Sequence, residues 1–154
     1  GGRLLKLKKY FNPGENFMLT YGDGLTNQNL RKLVNFHLKH KKIATLTSVK
    51  PPARFGEVFL KGNKVFKFEE KSQLNGNWIN GGFFVFNYKI FNFISGDQIM
   101  LEREPLNKLT KLNQLMAYKH YGFWQCMDTM RDKNILNKLW LEKKAPWKNL
   151  DIIK

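Results

Sequence analysis

A chain of 154 residues with 27 lysines and arginines against 12 aspartates and glutamates, a formal charge of +15, is the size of one domain. Its single cysteine, Cys126, excludes an internal disulfide and points to a reducing, cytoplasmic setting, and no apolar run reaches the ~18 residues of a membrane span. The basic residues come in short groups along the whole chain ("LKLKKY", "HLKHKK", "LEKKAPWK"), which reads as solvated surface rather than a nucleic-acid footprint, although a field of this sign favours phosphorylated small molecules.

The chain opens at Gly1 and runs into "RLLKLKKYF" with no preceding turn or cap, so its N-terminus reads as a cut. "NFMLTY" (Asn16 to Tyr21) is a short apolar run ending in Gly-Asp-Gly, which predicts a buried strand and a tight turn. In "NQNLRKLVNFHLKHKK", Leu30, Leu33, Val34 and His37 or Leu38 fall at helical spacing, and the basic last turn matches the helix dipole. "IATLTSV" (Ile43 to Val49) is β-branched and stops before Pro51 and Pro52. Strand, helix and strand with such short links predict a βαβ unit and a parallel sheet.

Beyond it, "GEVFL" and "KVFKFEE" around "KGN" predict a hairpin with a three-residue loop. "WINGGFFVFN" (Trp78 to Asn87) is the strongest strand signal, and "EREPLNKLTKLN" predicts a short helix from about Pro105. "LMAYKHYGFWQCMD" predicts a strand leading into a loop. "TMRDKNILNKLWLEKK" predicts a C-terminal helix with Thr129 as cap and Asp132 at capping-box spacing. The expectation is one α/β unit with a β-hairpin insertion.

In an open parallel sheet, ligands bind beyond the carboxyl ends of the strands. Asp23 is predicted to stand there, and Asp128 closes "FWQCMD" just before the last helix. Two aspartates from distant segments suit Mg2+, which takes one or two carboxylates and completes its shell with phosphates and water. On spacing alone, a turn role for Asp23 and a capping role for Asp128 come first, and the metal site is the alternative. His37, His40 and His120 lack zinc spacing and read as structural or exposed, and no serine or cysteine has the setting of a nucleophile. "FEEKS" places a carboxylate and an amine together after a strand. Alone it is a solvated hairpin end; a carboxylate there can also hold sugar hydroxyls and a lysine a phosphate.

The succession "GGRL", "FMLTYGDG", "ATLTSVKPPARFGEV", "FEEK", "WINGGFFVFN", "LEREPL", "GFWQCMDTMRDK" and "LWLEKKAPWK" closely resembles the sugar-nucleotide nucleotidyltransferase family, in its glucose-1-phosphate cytidylyltransferase branch. The resemblance implies a partial Rossmann-like fold with a mostly parallel mixed sheet, in which residues 1–154 form the C-terminal part of a single catalytic domain. It implies transfer of CMP from CTP to glucose 1-phosphate, giving CDP-glucose and pyrophosphate, with no nucleic-acid or membrane partner and a homo-oligomer at full length. By motif match, Asp23 and Asp128 hold Mg2+ as catalytic residues, Glu70 the glucose hydroxyls and catalytic Lys71 the sugar phosphate. Gly56 and an Asn80 to Gly81 turn line the sugar pocket, Gly1 and Gly2 contact cytosine, and Tyr21 and Gly22 lie near the nucleoside. Family members also begin with a strand and a glycine-rich loop that cradles the triphosphate. The chain contains neither, and Ser72 stands where the family has proline. A chain inactive by itself and an exposed sheet edge prone to association are the expected consequences. A non-catalytic subunit of the same fold and a basic nucleic-acid-binding module are the alternatives from other classes.

Overall fold

The structure, a computed structural model, describes residues 1–51, 56–69 and 77–148. A short helix α1 (Gly2–Lys6) and a 3-10 turn lead into strand β1 (Asn16–Thr20). After the Gly-Asp-Gly turn come a three-residue strand β2 (Gly24–Thr26), helix α2 (Leu30–His40) and strand β3 (Ala44–Val49). Asn29 caps α2 by accepting from the Lys32 N–H at 2.9 Å. The central segment is the hairpin β4 (Glu57–Lys61) and β5 (Lys64–Glu69), followed by β6 (Ile79–Asn87). Then come α3 (Glu104–Lys111), with proline in its first turn, β7 (Leu115–His120), β8 (Trp124–Cys126) and α4 (Met130–Leu141).

The main sheet has the order β1-β6-β3-β7. β6 runs antiparallel to both β1 and β3, while β3 and β7 are parallel, so the sheet is mixed with three strands in one direction. The predicted βαβ unit exists, but its strands are not neighbours: β6 inserts between them. Its run Phe84, Val85 and Phe86 is fully buried, and a strand apolar on both faces belongs in a sheet interior.

One face packs Ala44, Phe84, Phe86 and Phe17 against Leu4, Ile90 and Leu109 from the helical segments and Leu101 from the turn before α3. The other face meets α2 through polar side chains whose hydrogen bonds form a relay. The Lys42 N–H donates to His40 Nδ1 (2.9 Å), which leaves Nε2–H to donate to Thr45 Oγ1 (2.7 Å). Thr45 O–H then donates to His37 Nδ1 (2.8 Å), and His37 Nε2–H to Asn16 Oδ1 (3.2 Å). Both imidazoles are satisfied only when neutral, and burial lowers the pKa of each, that of His37 to about 4.

Three local readings need correction. Lys61 pairs with Lys64, so the hairpin turn is two residues, Gly62–Asn63, with Gly62 at φ 58° in the left-handed region such turns demand. "LMAYKHYGFWQCMD" forms two strands rather than one strand and a loop, because β8 pairs antiparallel with β2. Strands of three residues are too short to give a periodic signal. Asn80 and Gly81 lie in an irregularity of β6 rather than a turn: the β3–β6 register steps from Leu46↔Phe84 to Ser48↔Asn80. Among the described residues, no helix is long and apolar enough to cross a membrane.

Candidate active site

The β2–β8 ladder brings the two sequence-distant aspartates together. Gly24 pairs with Cys126, and the Met127 N–H donates to the Asp23 carbonyl at 2.9 Å, so Asp23 and Asp128 leave adjacent strands at the same end. Thr129, not Asp128, caps α4: its hydroxyl accepts from the Asp132 N–H (3.2 Å) while Asp132 Oδ2 accepts from the Thr129 N–H (3.1 Å). Gln125 in β8 donates to the other oxygen of buried Asp132 at 2.9 Å, which ties the strand to the helix and fixes the short link that carries Asp128. With capping done elsewhere, the Asp128 carboxylate is free to face the cavity, where it accepts only from the Cys126 thiol (3.2 Å) among the described residues. Asp23 likewise makes its turn through the backbone.

Both aspartates line one cavity of about 350 Å³ together with Tyr21, Asn80, Gly81 and Trp124. The irregularity in β6 builds its floor. Trp124 Nε1–H donates to the Gly81 carbonyl (2.8 Å), the Tyr21 N–H to the Gly82 carbonyl (2.8 Å), and the Gly82 N–H to Asn80 Oδ1 (3.0 Å). Gly82 sits at φ 77°, and a Cβ there would stand 2.9 Å from the Tyr21 ring. A Cβ on Gly81 would meet Val49 Cγ1 at 2.9 Å, so both glycines are required by contact.

On the other side of Tyr21 lies a second cavity of about 520 Å³, lined by Gly1, Arg3, Gly22, Asp23 and Glu102. The Tyr21 hydroxyl donates a short hydrogen bond to Glu102 Oε1, and Asn80 Nδ2–H reaches the same hydroxyl at 3.5 Å. Burial, with the bond to Glu102 second, raises the Tyr21 pKa. A larger recess of about 570 Å³, at the opposite end of the sheet beside Lys41, Lys42 and Lys89, touches neither aspartate.

The fold therefore gathers Tyr21, Asp23, Asn80, Gly81 and Asp128 at the first cavity, and Gly1 and Gly22 at the second. Gly2 packs instead beneath them: its N–H donates to the Ile99 carbonyl at 3.0 Å, and a Cβ would collide with the Asp97 backbone. Gly56 lines none of the described cavities, and Glu70 and Lys71 lie outside the described residues. Glu102, Trp124 and Gly82 were not foreseen as site residues. "LEREPL", "GFWQC" and "INGGFF" marked their segments but not their contacts.

Two carboxylates with no third ligand among the described residues fit a hard divalent cation that keeps water and phosphate oxygens in its shell. Among the described residues no cluster of three or more His, Cys, Asp or Glu could form a closed metal cage. Both aspartates are exposed to solvent at the cavity, as such an open shell requires.

Comparison with known proteins identifies the family. A family profile described as nucleotidyl transferase matches residues 4–141. The chain is 45% identical over 148 residues to glucose-1-phosphate cytidylyltransferase of Salmonella typhimurium, covering 96% of this chain and 58% of that protein. The protein of the same description from Salmonella typhi matches at the same identity and coverage, 45%, 96% and 58%. The chain thus spans a little under three-fifths of the length of these relatives. Among solved structures, the inositol-1-phosphate CTP transferase of T. maritima superposes with a TM-score of 0.59 at 18% identity, over 96% of this chain and 62% of that one, and shares the fold.

Proposed function

This chain belongs to the nucleotidyl transferase family, and from that premise we propose that it forms the metal-binding and sugar-phosphate-binding part of a glucose-1-phosphate cytidylyltransferase. The observation that carries the proposal is the β2–β8 ladder, which sets Asp23 and Asp128 side by side on a cavity floored by Asn80 and Gly81. The reaction is displacement at the α-phosphorus of CTP by the phosphate of glucose 1-phosphate, giving CDP-glucose and pyrophosphate.

A phosphate monoester has a second pKa near 6, so the nucleophile is already largely ionised at neutral pH and needs no side-chain base. This accounts for a site built from aspartates, amides and glycines without a histidine. What the protein must supply is positioning and charge compensation. Asp23 and Asp128 would hold Mg2+, which when bound neutralises phosphate charge. Asn80 and the backbone around Gly81 and Gly82 orient the sugar, and Tyr21 separates it from the nucleotide side, where Gly1 and Gly22 stand. Glu70 for the sugar hydroxyls, Lys71 for its phosphate and Gly56 beside them complete the assignment by family resemblance.

The test is synthesis of CDP-glucose by the intact protein from CTP, glucose 1-phosphate and Mg2+ with pyrophosphatase present. Asp23→Asn and Asp128→Asn should each lower kcat at least ~100-fold, as loss of transition-state charge stabilisation does, with unchanged far-ultraviolet dichroism. Undiminished turnover in either variant would overturn the metal assignment, and absence of CDP-glucose from the unsubstituted protein would overturn the reaction.

A further inference from the structure

We infer that Glu102 is a positioning residue for the sugar side of the site, acting through Tyr21 on the Asn80 amide; this deepens the proposed function and rests on it for the identity of the sugar phosphate. Tyr21 and Asp23 line both cavities, Asn80 only the first of the two, and Glu102 only the second. A carboxylate accepts and cannot donate, so the Tyr21 hydroxyl spends its single proton on Glu102. Its oxygen is then left as an acceptor, and Asn80 Nδ2 donates to it at 3.5 Å. Asn80 Oδ1 is already engaged by the Gly82 N–H at 3.0 Å, which fixes which end of the amide is which. An amide nitrogen carries two hydrogens, so one Nδ2–H remains for the cavity, as a donor to a sugar hydroxyl or phosphate oxygen.

Glu102 thus sets the polarity of a chain that ends in a donor presented to the ligand. Without it the phenol proton can rotate toward Asn80 and oppose that arrangement. The Tyr21 ring would also lose its tether to the segment before α3. Since the ring lies against the Cα of Gly82, its position and that of the β6 irregularity are linked.

The experiment is titration calorimetry of glucose 1-phosphate into the intact protein, with Mg2+ present. Glu102→Leu should weaken binding by about tenfold, as expected when a hydrogen-bonded charged partner is removed, and Glu102→Gln, whose amide oxygen can accept from Tyr21, should stay within about threefold of the unsubstituted protein. Tyr21→Phe should match Glu102→Leu, and the double substitution should be no worse than Tyr21→Phe alone, because one residue acts through the other. Unchanged binding in Glu102→Leu, or losses that add, would overturn the inference. A ligand-free readout separates it from the functional reading: the side-chain amide cross-peaks of Asn80 and the Gly82 N–H should move in nitrogen-15 correlation spectra of Glu102→Leu and Tyr21→Phe. If they stay in place, the relay is wrong whatever the ligand. If they move while the unsubstituted protein binds no glucose 1-phosphate, the relay holds and the substrate assignment fails.

Discussion

At the scale of single residues, the site is defined as much by what glycine leaves out as by what the aspartates supply. Gly82 occupies the left-handed region at φ 77° with the Tyr21 ring where a side chain would begin. Gly82→Ala therefore combines backbone strain with a collision against a ring held on its far side by Glu102. The expected cost is on the order of 1–3 kcal/mol, read as a lower midpoint in urea with an unchanged slope. Gly96, which has open space around it and no positive φ, should accept alanine with a midpoint near that of the unsubstituted protein. The two aspartates were legible in the sequence as strand-end carboxylates. Their meeting at one site was an expectation of the motif match; the β2–β8 ladder that brings them together was not legible, since nothing in "YGDG" or "CMD" by itself says that residues a hundred positions apart share a ladder.

At the scale of elements, the start of α4 does two jobs with one motif. The capping box of Thr129 and Asp132 closes the helix N-terminus, and the second Asp132 oxygen accepts from Gln125 and braces β8. Thr129→Ala should lower stability by about 1 kcal/mol, the usual cost of losing a cap, measured by chemical denaturation. Because the same contact holds the link bearing Asp128, it should also weaken Mn2+ binding measured by water-proton relaxation, whereas a substitution at exposed Leu141 in the last turn of α4 should leave Mn2+ binding unchanged. Thr129 and Asp132 were readable from their spacing, as were α2 from its helical spacing, α3 from its proline, and β1, β3 and β6 from their apolar or β-branched runs. The three-residue strands were invisible because so few residues carry no period, yet they are what assembles the site.

At the scale of the whole molecule, α2 is joined to the sheet through neutral histidines, and this sets the response to acid. The folded-state pKa values of His37, His40 and His120 all lie below the ordinary histidine value, burial being the first cause, so below about 6.5 the unfolded chain binds more protons, for His37 down to about 4. Stability contributed by these residues is complete above about pH 6.5 and is lost as pH falls, for His37 toward about 4, and His37 alone is worth up to about 3 kcal/mol. Melting temperatures recorded from pH 7.5 to 4.5 should fall accordingly. His37→Gln should lower the value at pH 7.5 and flatten the slope; an equally steep slope in that variant would remove His37 as the cause. By itself the sequence determined the longer elements, the Thr129 cap of α4 and, through its run of motifs, the family, because apolar runs, helical spacing and capping are local and motifs follow chain order. Only the tertiary structure decided that β6 separates β1 from β3, that β2 and β8 join Asp23 to Asp128, and that Glu102 reaches Tyr21. Each of these depends on which distant segments bury against one another, a choice made by the packing of the whole sheet and not by any one stretch of chain.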